Sequence, residues 1–263
     1  MHAVTMIDFL SSIGRRLLDL FAIAGRLALF VMSALSHCFR PPFYFRNLLK
    51  QFWTIGYNSL PVVGLTAVFT GAVLALQASV GFSKLTAPSA IPMLVVVSMT
   101  RELGPVIASL MVAGRVGAAI AAELGTMRVT EQIDALDTLA TNPMKYLVVP
   151  RVLAGLFMMP LLILVADVVG VMGGFVVSST ILNLNESAYL INTINNLHMK
   201  DIVSGLVKAA VFGVIITLLG CFNGYQSKGG AQGVGAATTN AVVYASVLIL
   251  FFDYFLTELF LNQ

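Results

Sequence analysis

Charged side chains set inside apolar stretches are the residues of this chain best placed to do chemistry. Arg101 and Glu102 stand together about ten residues into an apolar run near 91–119. Lys208 lies about six residues into another, near 202–224. A charge in such a run is expensive, so it faces a cavity or a partner. Arg101 and Lys208 are donors suited to a phosphate. Glu102 is also the natural partner of Lys208, which leaves an internal salt bridge as the alternative. Adjacent residues on a helix do not face one spot, so Arg101 and Glu102 meet different surroundings. Asp167 and Asp253 occupy two further runs. They suit a proton-coupled carrier, or else they are polar groups hydrogen-bonded between helices. Gln77 is a neutral polar group near the end of a first apolar run, with Leu74 before it and Phe82 just beyond.

A second constellation fills residues 123–143. Apolar Val129, Ile133, Leu136 and Leu139 alternate with acidic Glu131, Asp134 and Asp137. Two faces result, as in a helix lying on a surface, and the acidic one suits a basic protein partner. The phosphate-binding pattern G-x-x-x-x-G-K-[ST] occurs nowhere, so any nucleotide hydrolysis belongs to another polypeptide. His2, His37 and His198 show no metal-ligand spacing. Cys38 and Cys221 are too far apart in sequence to imply a disulfide framework. No metal site and no cofactor are expected on the chain.

The elements that position these groups follow from composition. With 58% hydrophobic and 10% charged residues, and a mean hydropathy of +0.92, the chain is a polytopic membrane protein. The net charge of +3 fits basic loops at lipid headgroups rather than nucleic acid. A crossing helix needs about 20 apolar residues. Five runs qualify, near 52–79, 91–119, 151–181, 202–224 and 240–261. Arg15, Arg16, Arg26, Arg40, Arg46 and Lys50 precede the first. Arg128, Lys145 and Arg151 lie between the second and third, and Lys228 between the fourth and fifth. Only Lys84 and Lys200 fall on the other side. The N-terminus is therefore expected in the cytoplasm and the C-terminus outside, with 123–150 and 225–238 as cytoplasmic loops and 182–200 as an external one.

Asp8, Ser12, Arg15, Asp19 and Arg26 share one helical face, opposite Phe9, Leu10, Ile13, Leu17, Leu20 and Phe21. That pattern predicts an amphipathic helix lying on the cytoplasmic surface within residues 1–45. The alternative is a sixth crossing at 17–36, which buries Asp19 and Arg26. Interrupting charges and the lack of a small-residue cleavage site argue against a secretory signal. Residues 46–263 read as one five-span membrane domain. Rows of small residues, Gly114–Ala118–Ala122, Gly117–Ala121–Gly125, Gly71–Ala75–Ser79 and Gly170–Gly174, permit close helix approach, within the chain or at a dimer seam.

The run RELGPV-x-A-x-L-x-x-AGR-x-G at 101–117, AELGTMRVTEQIDAL at 122–136, Phe222-Asn-Gly-Tyr225, the glycine-rich 230–239 and Asp253-x-x-x-Thr257 resemble the MlaE family of ABC-transporter permeases. The resemblance implies an all-α fold: an interfacial helix, five crossing helices, and a cytoplasmic coupling helix between the second and third. It implies a homodimer in the inner membrane of a Gram-negative bacterium. The implied partners are a cytoplasmic ABC ATPase that carries ATP and Mg, a STAS-domain protein and a hexameric periplasmic MCE ring. The implied work is moving phospholipid between inner and outer membranes, which maintains outer-membrane lipid asymmetry. The lipid path then falls on Leu74, Gln77, Phe82, Arg101, Glu102 and Lys208. Coupling to the ATPase falls on Glu123, Arg128, Glu131 and Asp134. The rivals are an ion-coupled secondary carrier using Asp167 and Asp253, and a passive membrane scaffold for an MCE ring. Five spans divide poorly into the inverted repeats that a carrier favours.

Overall fold

The computed structural model describes residues 2–38, 40–41, 44–82 and 90–261, and among them every regular element is helical. In chain order these are α1 (His2–Cys38), α2 (Phe45–Ile55), α3 (Leu60–Phe82), α4 (Ala90–Ser98), α5 (Gly104–Val112), α6 (Ala118–Val129), α7 (Gln132–Thr138), α8 (Val149–Thr180), α9 (Glu186–Asn196), α10 (Met199–Tyr225) and α11 (Gly230–Leu261). In a bilayer, only backbone that satisfies its own hydrogen bonds can cross, and a helix does so within one segment.

Six segments are long and apolar enough to cross: Phe21–Cys38, Phe45–Gly81, Ala90–Val129, Met144–Thr180, Met199–Tyr225 and Gly230–Phe260. Five match the runs expected from sequence. The sixth is the second half of α1, whose single Asp, Glu, Lys or Arg is Arg26. The other charges of the amphipathic pattern, Asp8, Arg15 and Asp19, precede it. Arg15 and Arg26 are exposed, while the side chains of Asp8, Ser12, Asp19 and the residues opposite them before Phe21 lie outside the described set.

Several crossings differ from a simple rod. Span one begins earlier than expected, with α2, and breaks at Tyr57–Ser59 before α3. Span two is 40 residues long, or about 60 Å at 1.5 Å per residue, so its end projects from the bilayer. It contains two wide π turns, Met99–Leu103 and Ala113–Gly117, and a third, Met144–Val148, leads into α8. The first and third are followed by Gly104-Pro105 and Val149-Pro150. Proline lacks an N–H and crowds the carbonyl four residues earlier, which forces the widening.

The bundle core packs α3 on α8, α8 on α10, and α10 on α6 and α11. Val95, Met99, Ile163, Phe212 and Ile216 fill its interior. Small residues decide which helices touch. A Cβ on Gly71 would overlap the Gly170 carbonyl, and Gly174 approaches the Gly71 carbonyl. These rows therefore seat α3 against α8 inside the chain. Gly117 and Ala121 do the same against Gly220 and Gly224 on α10. Gly114 has open space beside it. Because the obstacle at Gly71 is backbone, it cannot swing aside. Gly71→Val is expected to cost more than the ~1–3 kcal/mol typical of overpacking. Lower membrane yield and loss of a monodisperse detergent peak would report it; a wild-type melting profile would exclude the close α3–α8 seat.

The glycine-rich stretch expected as a loop over 225–238 is mostly helix. α10 ends at Tyr225 and α11 starts at Gly230. Gly229 and Gly230 take positive φ, 89° and 69°, and make the turn. Glycine at 233 then lets α11 pass the Lys228 carbonyl. Tertiary packing overrides the weak helix propensity of glycine here.

Candidate functional site

Lys208 organises the polar interior. It is 0% exposed, and its ammonium sits between span two, α10 and α11. Nζ donates to Glu102 Oε2 at 2.8 Å, to Thr257 Oγ1 at 2.7 Å and to the Arg101 carbonyl at 3.1 Å. Asp253 Oδ1 is 2.9 Å away. The Arg101 carbonyl is free for a reason visible in the chain: its helical donor would be residue 105, a proline. The same logic recurs at Tyr146, whose carbonyl loses its donor to Pro150 and accepts from Asn47 Nδ2 at 3.4 Å. The Thr257 hydroxyl has one hydrogen to give, to the Asp253 carbonyl at 2.7 Å or Glu102 Oε1 at 3.2 Å. One ammonium thus faces two carboxylates.

Arg101 points elsewhere. Its Nε lies 3.2 Å from Asp201 Oδ1. With Met199, Lys200, Ser204 and Phe260 it lines a cavity of about 340 Å³ at the start of α10. Leu74 and Gln77 line a different, larger groove of about 540 Å³ on α3, with Val62, Phe69, Val73 and Leu103. Leu103 follows Glu102, so the π turn forms the wall between groove and cluster. The structure therefore joins Leu74 to Gln77, and Glu102 to Lys208, but puts Arg101 in a separate cavity. Lys208 lines neither cavity. The side chain of Phe82 lies outside the described residues.

At the other end of span two, the expected single amphipathic segment divides. α6 carries Glu123 and Arg128 as a continuation of the span, and α7 is a separate helix of 7 residues. Between them Glu131 takes φ 61°, a left-handed conformation that costs a non-glycine residue of order 1 kcal/mol. Arg128 Nη1 donates to Asp134 Oδ1 at 2.5 Å across this turn, and its guanidinium lies over the Tyr225 ring at 5.8 Å. Glu131 and Asp137 are exposed, and among the described residues no cation pairs with either, so the turn presents acid outward. Glu123 Oε2 meets Arg151 Nη2 at 2.8 Å. Arg151 is buried at 3% exposure, although its charge suggests a loop. It also donates to the Leu147 carbonyl. This pair clamps span two to the start of α8.

After α7, Ala140 in the left-handed region and the Thr141 N–H bonded to the Leu136 carbonyl close the helix. Asn142 then accepts from the N–H groups of Met144 and Lys145, capping the next helix ahead of its wide turn.

Three polar residues gain roles that their sequence context does not announce. Asp201 is seven residues before Lys208, a spacing that puts both on one face of α10. Arg115 Nη1 donates to the buried Ser59 Oγ at 2.7 Å, which ties span two to the α2–α3 break. Asp167 packs against Gly104, where a Cβ would overlap its Oδ1. No hydrogen-bond partner reaches that oxygen among the described residues. The hydrogen bond between helices expected for Asp167 is not formed at this atom.

The family model described as Permease MlaE matches residues 48–259. Over 255 residues the chain is 54% identical to a probable ABC transporter permease protein of Rickettsia bellii, covering 97% of this chain and 98% of that one. It is 34% identical over 255 residues, with the same coverage, to the intermembrane phospholipid transport system permease protein MlaE of Haemophilus influenzae. It is 37% identical over 238 residues to the chloroplastic protein trigalactosyldiacylglycerol 1 of Arabidopsis thaliana, covering 90% of this chain and 66% of that one.

Proposed function

The chain belongs to the MlaE permease family, and from that premise we propose that it is the membrane subunit of an ATP-driven transporter moving phospholipid between inner and outer membranes. The observation that carries this reading is the α3 groove. It is apolar along Val62, Phe69, Val73 and Leu74, polar at Gln77, and walled by the π turn at Leu103. Such a surface suits acyl chains below a headgroup. Arg101 lines a separate cavity, where its guanidinium can donate hydrogen bonds to a phosphate, while Glu102 and Lys208 hold the wall in place. One chain offers a groove rather than an enclosure, so a symmetric homodimer builds the cavity. The name of the Haemophilus relative supports phospholipid as the cargo.

The remaining parts follow the same reading. A cytoplasmic ABC ATPase, binding ATP and Mg, docks on the α6–α7 turn. A STAS-domain protein and a hexameric periplasmic MCE ring complete an inner-membrane assembly. Residues 46–263 form the permease, and 1–45 lie along the cytoplasmic interface. Two contacts support that placement of α1. Phe30 meets Phe222 and Tyr225 at the end of α10, and His37 meets Asn142 before α8. On the proposed sidedness both contacts fall at the cytoplasmic border, as those of a helix lying along it would. The N-terminus is then cytoplasmic and the C-terminus periplasmic. A proton-coupled carrier would need Asp253 free to load, yet Lys208 engages it.

Affinity purification of the tagged permease from its native membrane tests this reading. Recovery of an ABC ATPase, with hydrolysis that drives lipid transfer to acceptor vesicles, is expected. Transport driven by a proton gradient without an ATPase would overturn it. At the docking turn, Glu131→Lys should lower ATPase association at least tenfold, as loss and reversal of an interfacial charge costs a few kcal/mol. Glu131→Gly separates charge from fold, because glycine accepts the left-handed turn. It should weaken association while leaving thermal stability equal or higher. Unchanged assembly in both variants would exclude the contact.

A further inference from the structure

A third cavity, distinct from the α3 groove and from the Arg101 cavity, lies where α1, α2 and α8 converge. It measures about 270 Å³ and is lined by His37, Tyr44, Phe45, Leu48, Lys145 and Leu153, among others. Its walls are mostly apolar, and His37, Tyr44 and Lys145 supply its polar side-chain groups. Lys145 Nζ donates to the Pro41 carbonyl at 2.8 Å and keeps further N–H donors. His37 Nδ1–H donates to the Ser33 carbonyl at 2.7 Å, which leaves Nε2 to accept from Asn142 Nδ2 at 3.3 Å. The chain that leads into and along α2 is basic, with Arg40, Arg46 and Lys50 all exposed. Among the described residues, no carboxylate lies within ion-pair distance of these three or of Lys145. An apolar stripe, Phe45, Leu49 and Trp53 at helical spacing, leads away from the mouth along α2 and is 60–69% exposed. Trp53 stacks on Tyr57 at 4.2 Å, an aromatic pair of the kind that sits at headgroup level.

We infer that this cavity binds an anionic phospholipid of the cytoplasmic leaflet, its phosphate on Lys145 and its acyl chains along Leu48, Leu49 and Trp53. The inference rests on the sidedness proposed above, not on the transport path. Charge complementarity and position select the occupant: Lys145, which has no carboxylate partner among the described residues, lines the cavity, and an apolar stripe continuous with the membrane runs along α2 beside it. A soluble anion would leave the stripe uncovered. The bound lipid fills the gap beside α1, whose segment Phe21–Cys38 has only Ala34 buried. It also touches the segment Asn142–Tyr146, which follows the coupling turn and is tied to α1, to Pro41 and to α2. The lipid thus acts as a wedge that holds α1 against the lead-in to α8.

The test uses the intact complex in vesicles of equal phosphatidylglycerol and phosphatidylethanolamine. A photo-cross-linking residue is placed at Leu48, and a second protein carries one at Leu74. Capture of phosphatidylglycerol over phosphatidylethanolamine at Leu48 is expected. Lys145→Gln should lower it roughly fivefold, the contribution of one basic side chain at an anionic surface, and Lys145→Arg should restore it. Capture at Leu74 should not change. Equal capture of both lipids, indifference to Lys145→Gln, cross-linking at Leu48 to protein instead of lipid, or loss of capture on adding inorganic phosphate each overturns the inference. Failure at Leu74 alone strikes the transport path and leaves this site standing.

Discussion

Lys208→Met is expected to remove most of the folded protein from the membrane. Methionine keeps much of the length and volume of the lysine stem, so packing alone is nearly conserved. What is lost is the ammonium that joins the Arg101 carbonyl, Glu102, Asp253 and Thr257. Glu102 and Asp253 then remain as two uncompensated carboxylates at the meeting of span two, α10 and α11. Breaking a fully buried pair from one side costs about 3–5 kcal/mol. The Glu102 side chain keeps 39% exposure and Asp253 19%, so the cost falls toward the low end of that range, still a large part of the ~5–15 kcal/mol that holds a domain together. Removing all the charges is much milder, since a buried ion pair roughly offsets its own desolvation. The triple variant Lys208→Met, Glu102→Gln, Asp253→Asn should therefore recover most of the yield. Detergent-extracted yield and thermal unfolding, measured side by side, decide the matter. A single variant as stable as the parent would show that the cluster does not hold the three segments.

Leu74→Arg should give the opposite pattern, with assembly preserved and transport lost. Leu74 is half-buried on α3 and lines the apolar groove. An arginine there can reach out toward Gln77, so insertion survives. Its charge in the acyl path costs about 2.5–3.5 kcal/mol on insertion scales, enough to slow lipid passage roughly a hundredfold. Lipid transfer between vesicles, ATPase co-purification and photo-capture at position 74 separate the outcomes. Normal transfer by the variant, together with no lipid captured at 74, would place the path elsewhere.

Sequence and structure agree most where the physics is local. Five apolar runs produce five long helices because the bilayer leaves the backbone few options. The Glu102–Lys208 pair is legible too, since two opposite charges at one depth in apolar runs have few other partners. Arg151 is not legible. Its position between two apolar runs reads as a loop cation, yet α8 begins earlier and Glu123 meets it inside. The coupling segment is legible in character but not in shape. Its two faces are visible in the spacing, whereas the break at Glu131 depends on a left-handed residue that no glycine announces.

By itself, the sequence determined the class of protein, the number and rough limits of the main crossings, the acidic turn and the family. The family rests on the motifs at 101–117 and 122–136; the rest follows from burial cost and periodicity, which act over one helix at a time. Only the tertiary structure decided that Arg101 turns to Asp201 while Glu102 turns to Lys208. It also decided that the Gly71 and Gly170 rows are used inside the chain, and that Leu74 and Gln77 share a groove without Arg101. The reason is that these outcomes depend on how helices rotate about their axes. Two π turns and two prolines reset that rotation, and a change of one residue in phase moves a side chain about 100° around the helix.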